Sequence, residues 1–355
     1  VAMRIRVELP EQSDVEAHTA ANARGEIPDR TPYGLHHLAE VDDVDLEFRR
    51  PLTGRAAWVA RKVRNRLDGY EPVAELLGAP ARRGADVVYC MDERTGFPAV
   101  AVPGGPPVVS GLVWVQGPET YSRAARPVVG TLLRRFAGIV TLGPGMYTDL
   151  VEGWGLDPAR VHPCRLGIDT EFFAPRPWSE ATPLVAGVGD DEARDHPLLV
   201  EAVRRLSARR RVRLEIGTTM DGVEIPADLG VVHRCRMEGA VRAMYGRSTV
   251  VALALHPTTR GSGSTVVLEA AASGRPVVAT RTAAMEALVD PSRGILVEPE
   301  DPDALAEAIG ALLDDPERAR AMGEAARAWV IEHHSSAQMN DDIRDVLRGV
   351  VAGRR

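Results

Sequence analysis

The stretch His256-Pro257-Thr258-Thr259-Arg260-Gly261-Ser262-Gly263-Ser264-Thr265, followed by Val266-Val267-Leu268-Glu269-Ala270-Ala271-Ala272, decides the architecture. An apolar run, Thr249 to Leu255, reads as a buried strand that feeds a Gly/Ser loop, and the loop feeds a helix. Strand, loop, helix in that order is the unit of a parallel α/β sheet. The free N–H groups at the start of such a helix, with its positive dipole end, favour a phosphate. The same residues also make an ordinary Gly/Ser cap, and both readings stand. Glu269 sits inside a largely apolar helix and is not at capping-box spacing from Ser264 or Thr265. It needs a polar partner, and a ribose diol is one candidate.

Working outward, the same unit recurs. In the second half strands are expected at Leu184–Val188, Arg211–Ile216, near Val231, at Thr249–Leu255, Pro276–Ala279 and Gly294–Val297, with a helix from about His196. In the first half they are expected at Arg4–Leu9, Val44–Phe48, Ala85–Cys90, Pro107–Val115, Gly138–Leu142 and Val161–Leu166. One helix of that half should start near Pro32, capped by Thr31, with Leu35 and Leu38 at helical spacing. Asp169 to Pro177 has the two prolines and the charge of a linker and is taken as the hinge. In the tail, Asp301-Pro302 and Asp315-Pro316 each place a capping Asp before a proline at the first helical position. At 355 residues the chain is long enough for two domains. The expected division is a Rossmann-like lobe over 1–168, a second over 169–335, and a C-terminal helix over 336–355 packing back on the first lobe.

Composition narrows the function. With 45% hydrophobic and 26% charged residues the chain is a folded protein, not a disordered one. A net charge of −7 with scattered basic residues leaves no footprint for nucleic acid. The uncharged stretch from Thr95 to Pro118 is broken by prolines and glycines and cannot be a transmembrane helix. No basic amphipathic helix or lipid anchor stands out, so membrane association is not expected, and without a signal-peptide core the expected location is the cytoplasm. Cys90, Cys164 and Cys235 form no C-x-x-C pair and are read as reduced interior residues. The nine histidines show no H-E-x-x-H or similar spacing, and no metal site is expected.

From Pro257 to Ala304 the sequence resembles the carboxyl lobe of retaining family 4 glycosyltransferases of the GT-B fold. The spacing from Pro257 to Glu269 matches that family's pattern without a gap, and Gly274-Arg275-Pro276, Glu286, Gly294-Ile295-Leu296-Val297 and Asp301-Pro302 continue it. Upstream, Gly167-Ile168-Asp169-Thr170 resembles its interlobe segment, and Val188-Gly189 with Arg194-Asp195-His196 resembles its donor-site region. Coverage runs from about Phe136 to Ser335 and is weak before that. The resemblance implies an α/β protein of two Rossmann-like lobes with parallel sheets facing across a cleft, binding a UDP- or GDP-linked sugar as co-substrate, with no other cofactor and no metal. It implies that Glu269 bonds the ribose, that Ser262, Gly263, Ser264 and Thr265 cradle the diphosphate, and that Arg194, beside Gly189, is the diphosphate counter-ion. Arg236 falls near the base-contacting loop.

On the acceptor side, Gly34 is the nearest equivalent of the family's glycine loop. His36 faces the cleft, with a catalytic part, or lies with His37 at the surface. Asp92 follows a strand end, where functional loops sit, or belongs to a salt-bridged Asp92-Glu93-Arg94 turn. Trp114 stacks on an acceptor ring or fills core. Two departures stand out: Gly261 replaces the first Glu of the family's pair, and Asp190 stands where an Arg is usual, where it would repel a diphosphate if it pointed inward. The implied activity is retaining transfer of a hexosyl or related sugar to a soluble small-molecule acceptor, a specialised natural product being one class. The alternatives are a catalytically silent accessory protein or an enzyme coupling the sugar to a non-hydroxyl nucleophile.

Overall fold

Runs such as Val87–Cys90 and Val250–Leu253 are buried at every position, which near-unbroken apolar strands require of a sheet covered on both faces. A computed structural model describes residues 2–142, 144–178, 182–258 and 260–353. It divides into two units, Val1–Ala21 with Arg30–Arg165 and Ala337–Arg355, and Asn22–Asp29 with Leu166–Ser336. In the first, β1 (Met3–Glu8), β2 (Val44–Phe48), β3 (Val87–Cys90), β4 (Val108–Leu112), β5 (Gly138–Thr141) and β6 (Val161–Pro163) form a parallel sheet in the order β2-β1-β3-β4-β5-β6. In the second, β7 (Leu184–Val188), β8 (Arg213–Gly217), β9 (Gly230–His233), β10 (Val250–Leu253), β11 (Val277–Thr280) and β12 (Gly294–Val297) pair in parallel in the order β12-β11-β10-β7-β8-β9. All twelve expected strands are present, most of them trimmed at the ends.

The second sheet runs from β7 out to β9 and then returns to place β10 on the other side of β7. That reversal opens a crevice beyond the carboxyl ends of β7 and β10, the usual ligand position in such sheets. Alternation along β10 sends Val251 and Leu253 to one face, against Val267 and Leu268 of the helix Ser264–Ala272. Val250 and Ala252 go to the other, against the helices His196–Ser207 and Pro302–Asp314. Asp301 and Asp315 cap their helices as expected, accepting from the amides of Ala304 and Arg318.

Several expectations are corrected. The segment after Thr31 is a 3₁₀ stretch, Pro32–Ala39, because Tyr33 and Gly34 both lie at positive φ, although Leu35 and Leu38 are buried as foreseen. Asp169 to Pro177 is no free linker, since Phe173 is in the core of the second unit and Asp169 accepts from the amides of Glu171 and Phe172. Residues 22–29 pack with the second unit, where the Asp29 amide donates to Asp169 at 2.7 Å. Of the cysteines only Cys90 is interior, and Cys235 is exposed. The helix Gly54–Arg64 carries Arg55, Arg61, Lys62 and Arg64 beside Trp58, so a basic amphipathic helix is present after all.

Candidate functional site

The loops after β7 and β10 are stitched together beyond the sheet. The Asp195 amide donates to the Ala254 carbonyl at 2.9 Å, and the His256 amide donates to the Ala193 carbonyl at 2.8 Å. This brings Gly189, Arg194, Ser262, Gly263, Ser264 and Glu269 into one neighbourhood. The Arg194 guanidinium lies between two glycines: a Cβ on Gly189 would meet its Nε at 2.1 Å, and one on Gly263 its Nη1 at 2.8 Å. Both glycines hold positive φ, 138° and 92°. Sequence thus specifies the passage twice, by backbone conformation and by room for the side chain.

Arg194 is 7% exposed, and its Nε and Nη1 are buried without a hydrogen-bond partner. Burial holds its pKa below the usual guanidinium value, opposed by the carboxylates of Asp191, Asp190 and Glu269. A buried cation with idle donors is costly unless an anion completes it. The helix Ser264–Ala272 starts beside it, capped by the left-handed Gly263. Its dipole adds to the same field.

Glu269 finds its polar partner in Tyr245, whose hydroxyl donates to Oε2 at 3.1 Å. Burial raises the Glu269 carboxyl to about 7 in spite of that bond and of Arg194. Tyr245 is itself held by Arg275, a fully buried side chain that donates to the carbonyls of Tyr245 (3.0 Å), Gly246 (2.9 Å) and Arg176 (2.7 Å). Ser262 donates to Asp191 at 2.9 Å, which closes the loop after β10 against that after β7. Thr265 is exposed, and Arg236 is exposed near Asp190.

Asp190 receives the Thr218 hydroxyl at 3.1 Å and the Thr219 amide. These bonds outweigh its burial and hold its pKa below the ordinary carboxylate value. The loop after β8 therefore accounts for its charge. Two participants were given no role in the sequence reading, although His196 falls within the quoted donor-site region. His196 is buried, and since a carbonyl only accepts, its Nε2 must donate to the Gly189 oxygen, 2.9 Å away, fixing the glycine that makes room for Arg194. Burial lowers the pKa of His196, which suits the neutral ring. Asp191 was the other, and its spacing from Ser262 gave no signal.

The acceptor-side candidates all lie in the first unit. Gly34 has φ 66° and is buried. The His36 amide donates to the Thr31 hydroxyl at 2.8 Å, and His37 pairs with Glu40 at 2.6 Å. His36, His37 and Glu40 bring three ligand-type atoms within 4.8 Å, a trio that no familiar spacing announced. Asp92 caps the helix Glu93–Ala101 and is paired with Arg94, Nε to Oδ2 being 3.0 Å, as the salt-bridged reading had it. Trp114 is not core: it is 44% exposed, with the Arg94 guanidinium 4.4 Å from its ring centre. Buried Glu93 accepts the amides of Val113 and Trp114 at 2.9 and 2.6 Å and so fixes the turn that presents the indole.

A family described as Glycosyl transferases group 1 matches residues 182–315. The matched segment, residues 182–315, is a group 1 glycosyltransferase domain. Among curated relatives, the MMP alpha-(1->4)-mannosyltransferase of Mycolicibacterium hassiacum is 28% identical over 211 residues, covering 56% of this chain and 51% of the relative. The GDP-mannose-dependent alpha-(1-6)-phosphatidylinositol monomannoside mannosyltransferase of Mycolicibacterium smegmatis is 31% identical over 258 residues, covering 63% and 66%. The chain thus spans about half to two thirds of the length of these relatives. Sucrose-phosphate synthase of Thermosynechococcus elongatus superposes with a TM-score of 0.74 at 16% identity, covering 99% of this chain and 100% of that one. HepE of Anabaena, solved with UDP-glucose, gives 0.68 at 15% identity, covering 98% and 100%. The fold is GT-B. In this glycosyltransferase domain the missing first carboxylate has room: among the described residues a Cβ on Gly261 would meet only the Ser264 hydroxyl, at 3.5 Å.

Proposed function

We propose that the chain transfers a sugar from a nucleoside diphosphate donor to an acceptor, with retention of configuration and without a metal. The observation that carries this reading is Arg194, a buried guanidinium with idle donors at the start of the helix Ser264–Ala272. A diphosphate satisfies both the side chain and the free helix amides. Glu269 then bonds the ribose, and Ser262 to Thr265 line the phosphates. As the bond to the sugar breaks, charge grows on the leaving diphosphate. Arg194 and the helix dipole are already aimed at it, so stabilisation costs no reorganisation. The same diphosphate takes the acceptor proton on the face it leaves, which gives retention. Gly34, His36, Asp92 and Trp114 are the proposed acceptor contacts, and a soluble acceptor is the one the sequence suggested. The relative named as GDP-mannose-dependent favours GDP over UDP.

A thermal-shift titration against UDP, GDP, ADP and dTDP tests the donor pocket, since a ligand that binds only the folded protein raises its melting temperature. One nucleotide series should stabilise the chain; no shift with any at millimolar concentration would remove the reading. The second reading, a silent accessory protein, rests on Gly261. It predicts nucleotide binding without turnover, and turnover gained in Gly261→Glu. Gly189→Ala should cost about 1–2 kcal/mol of stability in denaturant unfolding, because the left-handed backbone is strained by any side chain. It should also weaken nucleotide binding about tenfold by displacing Arg194.

A further inference from the structure

The helices Gly54–Arg64 and Pro72–Arg82 pack against each other in the first unit, and the second of them is turned inside out. Its inward side holds Glu75 and Arg82, fully buried and paired at 3.2 Å. Glu75 also accepts from Arg49 at 2.6 Å, and Arg49 in turn binds Glu71 at 2.6 Å. Meanwhile Leu76 and Leu77 are 62% and 52% exposed. The partner helix does likewise: Ala60 is buried, while Trp58 and Val59 are exposed. Arg55, Trp58, Val59 and Lys62 follow helical spacing along one face, and the Lys62 ammonium sits 3.9 Å from the centre of the Trp58 ring. With Leu67, five of the eleven large exposed apolar residues among those described fall between positions 58 and 77, so they form a local feature and not a scatter.

The charge of this region opposes that of the whole. Between positions 50 and 83 the exposed charged side chains are Arg50, Arg55, Arg61, Lys62, Arg66 and Arg83 against Asp68 alone, in a chain of net charge −7. None of those six cations has an ion-pair partner among the described residues. We propose that the outer faces of these two helices dock on the surface of an anionic lipid bilayer. Trp58, Val59, Leu76 and Leu77 enter the boundary between headgroups and acyl chains, and the cations meet lipid phosphates. The buried Glu75–Arg82 pair and Arg49 hold the second helix in the orientation that keeps its leucines outward. The earlier ground for expecting no membrane contact, the lack of a basic amphipathic helix, is thereby removed, although among the described residues no helix is long and apolar enough to cross a membrane.

The test is flotation of the full chain with vesicles of phosphatidylcholine alone and of equal parts phosphatidylcholine and phosphatidylglycerol. Binding is expected to the mixed vesicles only, with a blue-shifted tryptophan emission, and it should fall as salt rises. The double variant Arg61→Gln, Lys62→Gln should lower the partition coefficient about thirtyfold, and Trp58→Ser about tenfold. Both variants should keep their melting temperature and their response to nucleotide, because the nucleotide residues lie in the other unit. No binding to the mixed vesicles, or binding that neither variant weakens, would overturn the proposal. So would sedimentation showing a dimer that Trp58→Ser dissociates, since the face would then belong to a second copy.

Discussion

Replacing Arg194 with methionine is expected to weaken nucleoside diphosphate binding about a hundredfold while leaving the unliganded protein at least as stable as before. The two effects share one cause. In the unliganded protein two guanidinium nitrogens are buried without partners, so the side chain is a desolvated charge offset only by carboxylates at a distance. Methionine fills the passage between Gly189 and Gly263 and removes that cost. With diphosphate bound, the same guanidinium makes charge-assisted bonds that methionine cannot. Calorimetric titration and thermal unfolding of the variant measure the two halves. Unchanged affinity would show that Arg194 does not hold the donor.

Glu269→Gln should be more stable than the parent at alkaline pH and far less active. The carboxyl titrates near 4.5 when unfolded and is pushed up to about 7 by burial in the native state. Between those values the native protein binds more protons than the unfolded chain, so stability falls as pH rises through that window and stays low above it. Glutamine keeps an acceptor for Tyr245 without the charge. Its gain should be about 2–3 kcal/mol at pH 8 and near zero at pH 4. Activity should drop about a hundredfold, because a neutral amide is a weaker acceptor for a ribose diol than a carboxylate. Unfolding at the two pH values with turnover measured alongside decides it; a variant that is less stable at pH 8 would mean that the carboxylate serves the fold.

Strands such as Val250–Leu253 were legible because a parallel strand buried on both faces is close to apolar throughout. The loop from His256 to Ser264 was legible for a related reason, since a chain leaving a buried strand for a helix needs glycine at a left-handed position such as Gly263. Pairings across the fold were not. Tyr245 and Glu269 lie 24 positions apart, and nothing in either neighbourhood says that one hydroxyl will meet one carboxylate. The threat read into Asp190 rested on an assumed direction, and Thr218, 28 positions on, supplies the bond that turns it. The inverted helix Pro72–Arg82 escaped notice because its buried side is charged, against the rule by which amphipathic helices are recognised.

Neither unit is one continuous piece of chain. The second takes in Asn22–Asp29, made long before its sheet begins, and the first takes in Ala337–Arg355, made only after that sheet is finished. Asp342 pairs with Arg165 at 2.6 Å, and Arg348 reaches Asp43 at 2.7 Å, so this late segment is tied into the first unit at several points. During synthesis the earlier sheet must therefore wait, with its β5 and β6 side incompletely covered near Gly138, where Val346 and Val350 come to lie. A fragment cut at the boundary between the sheets would leave both halves unfinished, each lacking a segment the other carries.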